Sequence, residues 1–348
     1  MEKNTSTNQD FFLSSYDFDL PKDKIAMRPI PGRHNSKLLV YKKKTGEIIH
    51  TNFLNLAEYL PEHSLLVLNQ SKVIPCRLLG KKRTGGFAEI FLLSLEPVEG
   101  GLYSALIRTT RKKSEGDEFV FDDGVFAKII KRVDEKFLIK FNISDIKTYL
   151  EKTGLIPIPP YIRKGKSDEL DKTDYQTVFA KELGSLAAPT AGLHFTEEVF
   201  AKLKKSSINH TFITLHVGLG TFSPIKTEDI RDHKMHSETF MLSQESLVKI
   251  NAAEKIVAVG TTSLRVLESI YGKEIVPDTP YTTDIFLYPG KEIHSIDALL
   301  TNFHLPQSSL FILVSSLIGR VKALEIYKEA VALDYRFFSY GDAMLILR

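Results

Sequence analysis

The sequence predicts an α/β protein whose mixed-sheet main domain is interrupted by a small all-β barrel, and three observations carry that expectation. Between residues 65 and 141, short β-rich runs alternate with turn pairs such as Gly85-Gly86, Gly100-Gly101 and Asp123-Gly124. Beyond residue 190, helical and strand patterns alternate. Between the two regions lies Gly154-Leu-Ile-Pro-Ile-Pro-Pro160, whose prolines cannot continue a helix and suit an extended return linker. A chain of 348 residues has room for two domains at roughly 100–200 residues each. The expected division is a flexible extension at 1–13, a discontinuous α/β catalytic domain at 14–70 and 156–348, and an inserted barrel at 71–155.

Taken in order, residues 37–41 and 47–50 read as a hairpin around Lys44-Thr45-Gly46, where glycine supplies the positive φ of a tight turn. A short helix over 54–59 stops at Pro61. Barrel strands are expected at 73–79, 88–95, 102–107, 118–121, 125–133 and 137–141, followed by a helix near 144–152. Thr196 is placed to cap a helix running to Lys205, with Glu197 and Glu198 in its positive first turn. Strands at 211–217, 256–259 and 283–288 then interleave with helices near 244–253, 264–271, 309–318 and 323–333. The apolar run 308–318 is too short for a bilayer, which needs roughly 20 residues, and reads as a buried helix.

The formal net charge of +3 does not by itself mark a nucleic-acid binder. The charge is nevertheless uneven: residues 71–155 hold 16 Lys and Arg against 12 Asp and Glu, leaving 30 against 31 elsewhere. The densest basic clusters, Lys81-Lys82-Arg83 and Arg108 with Arg111-Lys112-Lys113, lie beside barrel turns and read either as a phosphate-binding face or as solvated surface. One cysteine, Cys76, forbids an intrachain disulfide and a cysteine-based zinc cluster. With no secretory signal visible at the N-terminus, the expectation is a cytoplasmic protein that meets no membrane.

Several polar residues fall in apolar, glycine-punctuated segments where solubility does not explain them. Thr190, Gly192, His194 and Phe195 lie in a loop entering a helix, where small residues let a ligand approach backbone N–H groups. His216, Gly218 and Gly220 leave a strand; Ser223 stands where a dinucleotide fingerprint needs its third glycine, so that site is not expected. Gly260, Thr261, Thr262, Ser263 and Arg265 run from a strand into a helix, as ligand-binding edges of open α/β sheets do, although Thr262 or Ser263 acting as a helix cap would explain the hydroxyls equally. His233, His236 and Glu238 lack zincin spacing, and no metal site is expected. Asn302, His304, Tyr340 and Asp342 complete the set. No Gly-x-Ser-x-Gly elbow and no phosphate-loop motif occurs.

Eight of these segments, in order, resemble one family. They are Tyr16-Asp-Phe-Asp-Leu-Pro21, Leu68-Asn-Gln-Ser-Lys-Val-Ile-Pro75, Leu186-Ala-Ala-Pro-Thr-Ala-Gly-Leu-His-Phe-Thr196, Thr214-Leu-His-Val-Gly218, His233-Lys-Met-His-Ser-Glu238, Val259-Gly-Thr-Thr-Ser263, Leu300-Thr-Asn-Phe-His-Leu-Pro306 and Tyr335-Arg-Phe-Phe-Ser-Tyr-Gly-Asp-Ala-Met344. The resemblance is to the S-adenosylmethionine:tRNA ribosyltransferase-isomerases of queuosine biosynthesis. It implies transfer and isomerisation of the ribosyl group of S-adenosylmethionine onto 7-aminomethyl-7-deazaguanine at the tRNA wobble position, giving epoxyqueuosine, adenine and methionine. S-adenosylmethionine is then a consumed substrate, no cofactor is required, and tRNA is the partner; separately, the chain is expected to act as a monomer. The sulfonium acidifies the ribose C5′ hydrogens and the departing adenine needs a proton, so two proton-transfer groups of opposite state are called for. The candidates are His194, His216, His236 and His304, with Glu238 or Asp342 orienting an imidazole. Substrate contacts are expected from Thr190, Gly192, Phe195, Gly218, Gly260, Thr261, Thr262, Ser263, Arg265, Asn302 and Tyr340. Leu219 and Ser223 depart from the family pattern, in which a smaller residue and an arginine stand there. A methyltransferase lacks support because its glycine-rich first strand-loop-helix is missing.

Overall fold

The structure, a computed structural model, describes residues 8–110, 112–218, 220 and 224–348. Its strands are β1 (Lys37–Lys42), β2 (Glu47–Asn52), β3 (Ser64–Asn69), β4 (Ser71–Val73), β5 (Arg77–Lys82), β6 (Phe87–Leu92), β7 (Tyr103–Thr109), β8 (Glu118–Val120), β9 (Phe126–Val133), β10 (Lys136–Phe141), β11 (Glu182–Ser185), β12 (Asn209–Leu215), β13 (Glu238–Met241), β14 (Lys255–Val259), β15 (Tyr281–Thr283), β16 (Ala298–Asn302) and β17 (Ala343–Leu347). The helices are α1 (Ile146–Thr153), α2 (Asp171–Asp174), α3 (Glu197–Lys205), α4 (Gln244–Ala252), α5 (Gly260–Ile270), α6 (Ser309–Ile318) and α7 (Arg320–Ala332).

One compact unit comprises residues 1–71, 176–182 and 188–348. Its nine-stranded mixed sheet has the order β15-β13-β12-β3-β14-β16-β17-β1-β2. The four strands β12, β3, β14 and β16 run parallel, whereas β17 is antiparallel to β16 and parallel to β1. Every residue of β3 is buried, as a central strand covered on both faces requires. Leu66, Leu68, Val257, Val259 and Leu300 form one core with Phe53, Phe195 and Val199; truncating any of these leucines to alanine costs about 2–5 kcal/mol. The topology gathers the carboxyl ends of the four parallel strands and the amino ends of β17 and β1 at one edge of the sheet.

The second unit comprises residues 72–175 and 183–187. Strands β10-β7-β6-β5-β8-β9 close an antiparallel barrel, with Leu78, Ile90, Ala105, Ile107, Phe119, Ala127 and Ile129 buried. The unit reaches beyond the residue 155 expected from sequence. Arg77 forms a bridge with Leu155 and hydrogen-bonds the Gly165 carbonyl, and Arg163 pairs with the buried Asp171, so the proline-rich segment belongs to the barrel unit rather than to a free linker.

Other local expectations are revised. Residues 1–7 lie outside the described residues, but Asn8–Phe11 already forms a 3-10 turn. Asp10 pairs with Arg320, the Arg231 guanidinium lies 4.3 Å from the Phe11 ring centre, and the Leu13 amide donates to Glu228, so the extension is packed from residue 8 onward. Thr196 holds the N-cap position of α3, which runs to Lys205 as expected, but its side chain makes no cap bond; its hydroxyl bonds His34 Nδ1 at 2.9 Å. The strand expected at 283–288 ends at Thr283. Phe286 and Leu287 are buried from a loop, and a short apolar run does not distinguish the two cases.

Candidate active site

Two polar clusters occupy the sheet edge. The first surrounds His194, at the end of the 3-10 turn Thr190–His194, whose ring stacks on Phe53 at 4.9 Å between centres. Thr190 Oγ1 donates to Asn302 Oδ1 at 3.1 Å, which leaves the Asn302 amide N–H facing His194 Nε2 at 3.0 Å. Nε2 therefore accepts, the ring proton resides on Nδ1, and Nδ1 donates to Ser36 Oγ at 2.8 Å. Burial, reinforced by Arg336, pushes the imidazole down to about 3, so it is neutral at physiological pH. Both ring nitrogens are thus occupied by the protein. Gly192 is required because a Cβ there would lie 2.9 Å from Thr177 Cγ2 and 2.8 Å from Phe179.

The second cluster follows β12 and opens α5. Glu238 is buried and accepts from the Gly218 amide at 3.0 Å through one oxygen, while the other pairs with the Arg265 guanidinium. Arg265 also donates from Nε to the Ile285 carbonyl at 3.1 Å, and its Nη2 is buried with no partner. Helix α5 begins at Gly260 with no side-chain cap, so neither Thr262 nor Ser263 caps it, and both hydroxyls are buried and unpaired among the described residues. Thr261, Thr262 and Arg265 line a small cavity with Met235, Phe286 and Leu310. The clusters meet at Gly260, whose φ of 86° suits glycine and whose added Cβ would contact Ala191 at 3.6 Å.

His216 stands between β12 and Gly218. Its ring is partly buried, Nδ1 is buried without a hydrogen-bond partner among the described residues, and desolvation holds the imidazole below its ordinary value against the opposing charge of Glu182. His236 is exposed and lies against Gly220, where any Cβ would overlap its ring. Among the described residues, neither imidazole is enclosed by hydrogen bonds on both ring nitrogens as His194 is.

Other expected site residues have different surroundings. Asp342 orients no imidazole: its carboxylate accepts from the Lys37 amide at 2.9 Å and the Arg336 amide at 2.7 Å, tying the loop before β17 to the start of β1. Glu238 likewise holds a backbone amide and a guanidinium rather than a histidine. Phe195 is a core residue, edge-on to Phe53 and tilted against Phe200. His304 is buried, shares a 2.9 Å hydrogen bond with Thr301 Oγ1, and is pushed down to about 3 by desolvation. Tyr340 is buried. Ser36 and Phe53 carry no signal in the sequence, one being a lone serine before a strand and the other a phenylalanine among leucines. Leu219 and Ser223 lie outside the described residues.

In the barrel, Lys82 pairs with Asp117 at 2.8 Å, Arg83 with Glu118 at 2.7 Å, and Lys113 lies 5.4 Å from the Phe137 ring centre. Lys81, Arg108 and Lys112 are exposed with no carboxylate partner among the described residues, and Arg111 lies outside them. Among the described residues, no group of three His, Cys, Asp or Glu side chains is arranged to hold a metal, and no helix is long and apolar enough to cross a membrane.

Polar groups at the carboxyl edge of a mixed sheet, with a barrel inserted after its central strand, define an α/β enzyme with an accessory β-domain. The chain belongs to the queuosine biosynthesis protein family, whose sequence model matches residues 13–346. It is 46% identical over 340 residues to the S-adenosylmethionine:tRNA ribosyltransferase-isomerase of Sulfurihydrogenibium sp. strain YO3AOP1, covering 96% of this chain and 99% of the relative. The enzyme of the same name from Acetivibrio thermocellus is 45% identical over 343 residues, with the same coverage. The crystal structure of S-adenosylmethionine tRNA ribosyltransferase from Thermotoga maritima matches with a TM-score of 0.53 and 36% identity, covering 96% of this chain and all of that one. The protein is an enzyme of queuosine biosynthesis.

Proposed function

We propose that this enzyme transfers the ribosyl group of S-adenosylmethionine to 7-aminomethyl-7-deazaguanine at the tRNA wobble position and isomerises it, forming epoxyqueuosine and releasing adenine and methionine. S-adenosylmethionine is consumed as a substrate and no resident cofactor is invoked. The full-length similarity to relatives of that name supports the reaction class. The observation that carries the residue assignment is the buried, unpartnered Nδ1 of His216, an imidazole kept neutral by desolvation at the ligand-binding edge of the sheet.

In this reading His216 is the general base that removes a C5′ proton made acidic by the adjacent sulfonium, and His236, exposed on the neighbouring loop, delivers a proton to the departing purine. Glu238 and Arg265 are positioning residues: the carboxylate holds the Gly218 amide two residues beyond His216, and the guanidinium holds the carboxylate. Thr261, Thr262 and Ser263 offer hydroxyls to the substrate, as do the free N–H groups at the start of α5. His194 with Asn302 and Thr190 forms a rigid wall of the site rather than a proton carrier.

The test is incubation with S-adenosylmethionine and an anticodon stem-loop carrying 7-aminomethyl-7-deazaguanine, in chelator, followed by mass spectrometry. Adenine, methionine and an RNA mass gain of one ribosyl-derived group are expected. S-adenosylhomocysteine, or unchanged RNA, would contradict the proposal.

A further inference from the structure

The barrel's outer face carries large apolar side chains that a solvated surface does not need. Phe87 is 43% exposed, Leu79 45% and Val120 37%. Register places them in adjoining rows. Lys81 of β5 lies directly opposite Phe87 of β6 on one side and Val120 of β8 on the other, and Val120 is opposite Phe126 of β9. All four point outward, because their sequence neighbours Gly80, Ala88, Phe119 and Ala127 face the barrel interior. The row Phe126-Val120-Lys81-Phe87 thus spans four strands, about 15 Å at the usual strand spacing. The Arg83 guanidinium sits 5.5 Å from the Phe126 ring centre at one end. In the next row, Leu79 is opposite Glu89 and Glu89 opposite Arg108. Glu89 is already paired with Arg77, which leaves Arg108 uncompensated.

The charges and the rings complement one kind of partner. Nearby carboxylates are taken up: Asp117 by Lys82, Glu118 by Arg83, and Glu89 by Arg77. Lys81 and Arg108 are what remain, one on each side of an exposed ring. An acidic protein would use the cations but not the ring, and an apolar partner would have to desolvate Lys81. A single-stranded nucleic acid uses both, since bases stack on aromatic faces while phosphates meet the flanking cations.

We infer that Phe87 is a stacking platform for an unpaired RNA base, with Lys81 and Arg108 on the adjoining phosphates and Val120 extending the apolar floor. The inference rests on the proposed reading that the substrate is tRNA, and it names the surface that receives an unpaired part of it. Gly85 and Gly86, with φ of 91° and 96°, form the tight turn that brings Phe87 to the rim of the barrel.

The test uses the full chain and an anticodon stem-loop RNA, with binding followed by fluorescence anisotropy over a range of salt. Phe87→Ala is expected to weaken binding roughly 5- to 150-fold, the range for losing one base-aromatic stack, without changing the salt slope. Phe87→Tyr is expected to bind as wild type. Lys81→Ala is expected to reduce the magnitude of the slope of log K against log salt by about 0.7–0.9. A fully paired two-strand RNA duplex of the stem sequence is expected not to distinguish Phe87→Ala from wild type. Because Phe87 is solvent-exposed, unchanged thermal unfolding of Phe87→Ala serves as the folding check. Wild-type affinity for the stem-loop in Phe87→Ala overturns the inference while leaving the proposed reaction intact. If wild type itself neither binds nor turns over the RNA, the proposed reaction fails instead. Sedimentation showing that Phe87→Ala only dissociates a homodimer, with RNA affinity unchanged, assigns the patch to a second copy of the chain and also overturns the inference.

Discussion

His194 and His216 belong to the same edge of the same sheet, and their surroundings are opposite. His194 is enclosed: Asn302 donates to one ring nitrogen, Ser36 accepts from the other, and Phe53 covers a face. His216 has a buried nitrogen with no partner among the described residues. A fully satisfied buried imidazole contributes rigidity, whereas an unsatisfied one is costly to the fold unless a ligand completes it. On the proposed reading, the contrast separates a histidine that shapes the site from one that acts in it, which chemical type alone does not do.

The comparison breaks most directly at the reacting groups. His216→Ala is expected to lower the rate of the chemical step about 10²- to 10⁴-fold, the usual contribution of a general base, with thermal stability maintained; single-turnover kinetics at saturating substrates reads it. Glu238→Ala removes the partner of a buried guanidinium and is expected to cost about 3–5 kcal/mol of stability, measurable by urea unfolding. Glu238→Gln, which can still accept from the Gly218 amide, is expected to cost less.

Acidification sharpens the contrast from the other side. His194 and His304 have folded values near 3 and an ordinary value of 6.5. Their lowered values mean that the unfolded chain binds protons the fold refuses, so their stabilising contribution is complete above pH 6.5 and is lost as pH falls toward 3. Between pH 7.5 and 5.5 the two together are expected to remove roughly 2–3 kcal/mol from the unfolding free energy, seen as a fall in the urea midpoint. Replacing both by glutamine is expected to flatten that dependence. Ser36→Ala gives the smallest effect: the His194 Nδ1 proton loses its hydroxyl acceptor, and the expected cost is about 1 kcal/mol.

What could be read from the sequence depended on whether the signal was local. Helix α6 was legible from the largely apolar run 308–318, and Ser308 caps it by accepting from the Phe311 amide at 3.2 Å. Gly192 was read as letting a ligand approach the backbone, but what leaves no room for a Cβ there is the protein's own Thr177 and Phe179, whereas the φ of 86° at Gly260 fits the tight loop read at that position. The partners of Glu238 and Asp342 were not, because carboxylates at an edge can hold imidazoles, guanidinium groups or backbone amides, and only tertiary register decides among them. The packing of residues 8–13 was missed for the same reason: Asp10 finds Arg320 from more than 300 positions away. In the barrel, short β-rich runs between turn residues revealed the strands, but the cross-strand pairs that neutralise Lys82 and Arg83 lie between separate runs. Sequence density of charge therefore overstated the free basic surface.

The central claim is that His216, and not His194, carries the proton. Single-turnover rates of His216→Ala and His194→Gln, measured side by side with S-adenosylmethionine and the modified stem-loop both saturating, test it most directly. The account predicts at least a 100-fold loss in His216→Ala with unchanged binding of both substrates, and a His194→Gln enzyme whose loss tracks its stability. A His216→Ala enzyme within a few-fold of wild type, beside a folded His194→Gln enzyme that has lost the chemical step, would contradict it.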